Sequence, residues 1–184
     1  IYEEIAFKFI QHFVWIAYAM DRIGDNKDEM WDEQDGFYYD LLRLPNGDAQ
    51  RLKVRSLVGL LPLCASTVFE QGTAGRFPRL IEMLELFRKR HPELLTHIAP
   101  TEQGFIGYKG RRMISLLSKR KLQRVLGYML DENEFLGPYG IRSLSKYHLD
   151  HPFKFWVGNE EYKVQYLPAE SNTGMFGGNS NWRG

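Results

Sequence analysis

Cysteine and long apolar runs are both scarce in this sequence. Cys64 is the one cysteine among 184 residues, which excludes a disulfide framework and a metal site built on thiolates. In the apolar stretch around it, Cys64 is expected to be a small buried hydrophobic side chain. No apolar run reaches the roughly 20 residues that a transmembrane helix needs. The sequence therefore predicts a soluble chain without a membrane partner.

An excess of charge of one sign is also lacking. Lysine and arginine number 24 against 23 aspartates and glutamates, so the formal net charge is +1. Such a balance gives no long-range attraction to nucleic acid, and we expect no nucleic-acid partner. The basic cluster from Lys119 to Arg124 has helical spacing, which is typical of a solvated helix face.

The common motifs for metals, phosphates and nucleophilic catalysis are absent. In WDEQDG, an EF-hand register with Gly36 at position six places Trp31 at position one, where it cannot bind calcium. His148 and His151 are three residues apart, but no third zinc ligand is placed by spacing. No phosphate-binding loop, dinucleotide fingerprint or nucleophile elbow occurs. We therefore expect neither a metal nor a cofactor.

Apolar and aromatic residues are abundant, at 43% and 14%, and predict a globular domain that is mainly α-helical. Apolar spacing predicts helices over about residues 2–22, 52–69, 78–90 and 118–131, with Ser118 capping the last. Pro62 must kink the second helix or mark its true first turn. Turns are predicted at Asp35-Gly36 and Asn46-Gly47, and a short β-hairpin at Gly158-Asn159.

Long connectors between these helices are rich in aromatic and polar residues. They read WDEQDGFYYD, LGPYGIRSLSKYHLDHP and LPAESNTGMFGGNSNWRG. A sugar presents hydroxyl groups around an apolar ring face, so its site needs flat aromatic rings beside polar groups held in place. The composition of these connectors predicts a carbohydrate site.

At these residues the chain resembles glycoside hydrolase family 63. This family comprises inverting α-glucosidases, among them the processing α-glucosidase of the eukaryotic secretory pathway and bacterial hydrolases of small glucosyl or mannosyl glycosides. The resemblance runs through WDEQDGFYYDLLRLPNG, RLKVRSLVGLLPL, MLDENEFLGPYGIRSLSKYHLDHPF and PAESNTGMFGGNSNWRG. It implies part of an (α/α)6 barrel of the six-hairpin glycosidase type, with a pocket formed by loops at one end. Residues 1–184 are then expected to be a portion of one catalytic domain, truncated at both ends.

The resemblance also implies roles for the last residues of the chain. Trp182 is expected to line the pocket near the cleaved sugar, and Arg183 to fix the loop or a carboxylate. The catalytic acid, an aspartate, is expected before Ile1, and the catalytic base, a glutamate, after Gly184. Inverting hydrolysis needs both groups, about 6.5–9.5 Å apart. The chain is therefore expected to hold no catalytic residue and to supply only pocket wall for an oligosaccharide or small glycoside.

Further residues are candidate sugar contacts. Glu170 is the best internal candidate for a pocket carboxylate, with loop hydrogen bonding as the alternative. Tyr39 and one of the aspartates at 32, 35 and 40, taken as Asp40, belong to the same cup, although aspartates at turns commonly bond their own backbone. Arg142 is expected to pair with a buried carboxylate at the pocket floor or to lie on the surface. Arg55, in an apolar segment, is expected to have a structural acidic partner, for which the WDEQD loop is the candidate.

Two other functions remain open. One is a trehalase-like or debranching-type glucosidase on the same architecture. The other is a non-catalytic carbohydrate-binding or helical interaction module. In a partial barrel, the apolar faces at Ile5, Phe9, Phe13 and Leu60 lack neighbours. The chain is therefore expected to pair with the remainder of the same polypeptide or to self-associate.

Overall fold

The structure is a computed structural model and describes residues 1–21, 29–95 and 105–167. Its α-helices are α1 (Tyr2–Asp21), α2 (Pro78–Arg90), α3 (Pro92–Leu95) and α4 (Lys119–Leu130). Its strands are β1 (Trp31–Asp32), β2 (Phe37–Tyr38), β3 (Asp40–Arg43), β4 (Ala49–Leu52), β5 (Ser66–Phe69), β6 (Phe105–Ile106), β7 (Arg112–Ser115), β8 (Leu136–Gly137), β9 (Gly140–Ile141), β10 (Phe153–Val157) and β11 (Glu160–Val164). Short 3-10 helices span Leu57–Cys64, Ala74–Arg76, Tyr108–Gly110 and Lys146–Leu149.

The predicted (α/α)6 barrel is wrong for this chain. A barrel of helix pairs requires long helices in regular succession, whereas the described residues place short antiparallel strand pairs between α1, α2 and α4. The strands form four two-stranded sheets and one three-stranded sheet, in the order β5-β7-β6, within the described ranges. The chain is therefore a mixture of helices and small antiparallel sheets.

The helix predicted over residues 52–69 accounts for much of this error. The segment forms a 3-10 helix at Leu57–Cys64, which contains Pro62, and then strand β5. Pro62 lacks the N–H that the interior of an α-helix requires. Downstream, the β-branched residues Thr67 and Val68 pair with β7, as their strand preference favours. A continuous apolar run does not by itself distinguish a long helix from these shorter elements.

The other three predicted helices are confirmed. Helix α2 has the predicted bounds, with Pro78 in its first turn, and α1 covers the first predicted helix to Asp21. Ser118 caps α4, because its hydroxyl accepts a hydrogen bond from Lys121 N at 3.4 Å. The predicted hairpin is confirmed as well, since β10 and β11 are joined at Gly158, whose φ is 60°.

The chain divides into two compact units, which are Ile1–Glu29 with Pro62–Leu122, and Met30–Leu61 with Gln123–Gly184. In the first unit, α1 packs on α2 through Phe7 and Phe87, whose rings meet edge to face at 6.1 Å. The carboxylate of Glu3 accepts a hydrogen bond from Leu80 N at 2.8 Å. This bond satisfies one of the N–H groups that the first turn of α2 leaves unpaired.

The second unit is built around Phe37. Its ring lies 5.3 Å from Tyr39, 5.1 Å from Tyr128 and 5.8 Å from Phe135. Gly59 allows this packing, because a Cβ there would lie 2.3 Å from the Phe37 ring. Two of these aromatic residues, Tyr39 and Tyr128, also donate hydrogen bonds to Asp35 in the turn between β1 and β2.

The structure tests two expectations about exposure. Cys64 is exposed, so the prediction that it is buried is wrong. Leu60, expected to lack neighbours, is buried, and Phe13 is partly buried, whereas Ile5 and Phe9 are exposed as expected. In the described part of the chain, no helix has the length and apolar character needed to cross a membrane.

Candidate functional site

The β1–β2 turn, residues 33–36, presents Asp35 at its tip. Asp35 N donates a hydrogen bond to Asp32 Oδ1 at 2.9 Å, and Gly36 N donates to the Asp32 carbonyl at 2.7 Å. Gly36 has a φ of 71°, a left-handed conformation that glycine adopts without strain. The predicted Asp-Gly turn is thus confirmed, with the Asp32 carboxylate bound to the backbone of the turn at Asp35.

Helix α4 holds this turn from the other side. The guanidinium of Arg124 donates to the carbonyls of Glu33 at 2.7 Å and Gln34 at 2.8 Å. Tyr128, one helical turn later, donates its hydroxyl to the Asp35 carbonyl at 2.6 Å. Three successive carbonyls therefore have donors from one helix face. Arg124 is a tertiary contact and not merely part of the predicted solvated face.

We call one group of side chains around this turn the Asp35–Lys53 cluster. It consists of Asp32, Asp35, Tyr39, Arg51 and Lys53. Lys53 Nζ lies 3.0 Å from Oδ2 of Asp32 and 3.0 Å from Oδ2 of Asp35. Arg51 NH1 lies 3.1 Å from Asp32 Oδ2. An ammonium between two carboxylates fixes the positions of all three groups.

Both signs of charge in this cluster are stabilised. Burial by itself raises the pKa of Asp32, but the hydrogen bond from Asp35 N and the charge of Lys53 together lower this pKa below its ordinary value. The hydrogen bonds to Asp35 and Asp32 raise the pKa of Lys53. Asp32 therefore stays ionised and Lys53 protonated at neutral pH.

Tyr39 is buried beneath the cluster. Its hydroxyl donates to Asp35 Oδ2 at 3.0 Å. Burial is the main cause of a raised pKa of Tyr39, so the phenol remains a protonated donor. Tyr39 is predicted to contact the sugar. In the structure its side chain binds Asp35 and is shielded from solvent.

A second centre forms around Arg55. Its NH1 atom donates to Glu134 Oε1 at 2.5 Å, and Ser145 Oγ donates to the other carboxylate oxygen. The guanidinium carbon of Arg55 lies 3.9 Å from the ring centre of Tyr147 and 5.0 Å from that of Tyr128. The predicted acidic partner of Arg55 is confirmed, although Glu134 supplies it and not the WDEQD loop.

His148 connects the Arg55 backbone to the following loop. Its Nε2 accepts a hydrogen bond from Arg55 N at 2.9 Å, so Nδ1 carries the proton and donates to the His151 carbonyl at 2.9 Å. Burial lowers the pKa of His148, and the charges of Arg55 and His151 act in the same direction. His148 is therefore a neutral structural residue.

Stability is expected to fall in acid as His148 takes up a proton. Because its folded pKa lies below the unfolded value of about 6.5, the unfolded chain binds the proton first as the pH falls. The contribution is present above pH 6.5 and is lost as pH falls through the folded pKa, by at most about 1.4 kcal/mol per pH unit. Urea unfolding at a series of pH values measures this slope. A His148→Gln variant, which does not titrate, should show a smaller slope, and an unchanged slope contradicts the assignment.

Arg142 is buried and has a different partner from the one predicted. Its NH1 atom donates to the carbonyls of Glu132 at 2.9 Å, Glu134 at 3.2 Å and Leu136 at 2.6 Å. Backbone carbonyls thus take the place of the expected carboxylate. Arg142 fixes the loop that carries Glu134, so it supports the Arg55 centre through its neighbour.

The remaining predicted site residues are not brought into this cluster. Asp40 is exposed and lies at the start of β3, opposite Leu52. Glu170, Trp182 and Arg183 lie outside the described residues. The shared hollow predicted for these side chains is therefore not visible in the part of the chain that the structure describes.

Several residues of the site were not predicted from the sequence. They are Lys53, Tyr128, Glu134 and Ser145. One sequence signal was present: Arg124 and Tyr128 are four residues apart and share a helix face. Nothing local indicates that Glu134 pairs with Arg55, since 79 residues separate them.

No group of three histidine, cysteine, aspartate or glutamate side chains in the described ranges is arranged to hold a metal ion. The Asp35–Lys53 cluster already contains an ammonium between its carboxylates. Its chemistry therefore suits a neutral hydroxylated ligand better than a cation.

Comparison with known proteins gives one informative similarity. No family model matches the chain, and no solved structure matches it significantly. A protein of Saccharomyces cerevisiae, described as uncharacterized protein YMR196W, is 44% identical over 196 aligned positions. The alignment includes 100% of this chain and 18% of the yeast protein. The chain thus spans less than a fifth of the relative that it matches.

Proposed function

We propose that the full-length protein containing this chain is an inverting α-glycosidase, similar in activity to family 63. This chain supplies part of the wall that binds the sugar. The general acid and base come from other segments of the polypeptide. The aromatic and charged loops keep this role although the helices around them do not form the expected barrel.

The Asp35–Lys53 cluster is the observation that carries the proposal. A pyranose is recognised by donors and acceptors held at fixed positions, because its hydroxyl groups differ only in direction. Asp35 and Lys53 supply one acceptor and one donor, and both are held by Tyr39 and Asp32. Their arrangement does not depend on the ligand, which reduces the entropy lost on binding.

The cluster is also open on one side. The Lys53 side chain is 47% exposed, whereas Asp32 and Tyr39 behind it are buried. An ammonium has three N–H donors, and the two aspartates accept two of them. Among the described residues, this leaves one N–H of Lys53 for a sugar hydroxyl, beside the partly exposed carboxylate of Asp35.

The activity is tested with the full-length protein and a panel of α-glucosides and α-mannosides. NMR of the product in the first minutes reads the anomer. Cleavage with initial release of the β-anomer supports an inverting α-glycosidase. Initial release of the α-anomer, or binding of glycans without cleavage, contradicts the proposal and favours a retaining enzyme or a binding module, respectively.

Replacing Lys53 with methionine in the full-length protein is expected to lower kcat/KM about 10- to 150-fold. The loss corresponds to one charge-assisted hydrogen bond to the substrate, about 1.5–3 kcal/mol. Lys154→Met is the matched control, because Lys154 is an exposed lysine paired with Glu161 on the β10–β11 hairpin. Thermal melts of both variants check folding. Equal kcat/KM for Lys53→Met and Lys154→Met would remove the cluster from the sugar site.

A further inference from the structure

Helix α1 carries a largely apolar face that no described residue of its own unit covers. We call it the outer face, and it consists of Tyr2, Ile5, Phe9, His12, Ile16 and Ala19, all exposed. The exposed fractions of Tyr2, Phe9 and Ile16 are 88%, 72% and 55%. The opposite side of α1 is already used, since Val14 and Ala17 are buried and Phe7 packs on Phe87. The outer face is therefore additional to the packing of α1 on α2.

The spacing of the outer face indicates the shape of what covers it. Its residues follow one another at intervals of three, four, three, four and three, which places them in one stripe along a helix. This spacing is the one by which two helices pack side by side. From Tyr2 to Ala19 the stripe is roughly 25 Å long, so a helix of five turns would cover it.

We propose that the outer face of α1 binds an α-helix from another segment of the same, longer polypeptide. The yeast relative matches all of this chain with 18% of its own length, so most of that protein lies beyond the matched segment. A helix connected through the chain has a high effective concentration, so a narrow apolar stripe suffices to hold it. The inference does not depend on the glycosidase proposal.

A second copy of this chain fits the outer face less well. A stripe about 25 Å long and 10 Å wide offers a few hundred Å², below the roughly 800 Å² per partner of a stable protein interface.

Cysteine labelling tests the proposal in two lengths of the protein. Phe9→Cys, on the outer face, and Lys8→Cys, at its edge, are placed in a Cys64→Ser background of the 184-residue chain and of the full-length polypeptide. Maleimide labelling rates are read by mass spectrometry of the peptide that contains each cysteine. In the full-length protein we expect position 9 to react at least about tenfold more slowly than in the 184-residue chain, and position 8 to change by less than about threefold.

Ala19→Cys provides a second probe that removes no large side chain from the outer face. Slowing at position 19 supports the proposal even if Phe9→Cys disturbs the docking of the helix. Equal rates at positions 9 and 19 in the two lengths overturn it. The proposal is also overturned if labelling of the 184-residue chain becomes slower as its concentration rises and light scattering gives the mass of a dimer. The occupant is then a second copy.

Discussion

Replacing Arg55 with methionine is expected to lower the free energy of unfolding by about 3–5 kcal/mol. Arg55 and Glu134 are only 15% and 14% exposed, so the variant leaves the Glu134 carboxylate largely buried without its cation. Removing one partner of a buried ion pair costs more than the pair itself contributes, because the remaining charge has lost its hydration. The stacking of the guanidinium on Tyr147 is lost as well. Urea unfolding followed by circular dichroism measures the change.

The control for Arg55→Met is an arginine of an exposed ion pair. Arg111 lies 3.0 Å from Glu70, with side chains that are 49% and 66% exposed, and Arg111→Met is expected to cost less than about 1 kcal/mol. A double variant with Glu134→Leu should cost less than the sum of the single variants, by roughly 2 kcal/mol or more. Additive effects, or a cost for Arg55→Met no larger than that for Arg111→Met, contradict the structural role.

The sequence predicts the helices of this fold better than its strands. Helix α2 has apolar residues at helical spacing and a proline in its first turn, so local signals suffice. Strand β5 pairs with β7, more than 40 residues away, and such pairing is not encoded locally. The expected barrel rests on the family resemblance, and the helix expected at 52–69 does not form, because Pro62 interrupts it and its last residues pair with β7.

The candidate site shows the same division between local and distant information. The turn before Gly36 is recognisable because Asp-Gly has its own conformational preference. The partners of Asp35 come from β4 and its continuation at Lys53 and from α4 at Tyr128, so they become visible only in three dimensions. Arg55 illustrates the limit: its burial predicts an acidic partner, but not which of the 23 acidic residues provides it.

Gly36 lies at the junction between the turn and α4, and its replacement tests whether α4 sets the position of Asp35. A Cβ at Gly36 would lie 2.0 Å from Arg124 Nε, so alanine displaces the guanidinium from the carbonyls of Glu33 and Gln34. Alanine also strains the backbone at a φ of 71°. Both effects act on the segment that presents Asp35 to the proposed sugar site.

Gly36→Ala is expected to lower the free energy of unfolding by about 3 kcal/mol, of which roughly 1 kcal/mol is backbone strain. Gly47→Ala is the matched control, because its φ of 90° is strained to a similar degree while its Cβ meets nothing within 4 Å, so only about 1 kcal/mol is expected. In a Gly36→Ala, Arg124→Ala double variant the alanine Cβ has room, and the cost relative to Arg124→Ala should fall to that of Gly47→Ala. Equal costs for Gly36→Ala and Gly47→Ala, measured by urea unfolding, would show that Arg124 yields freely and that α4 does not fix the turn.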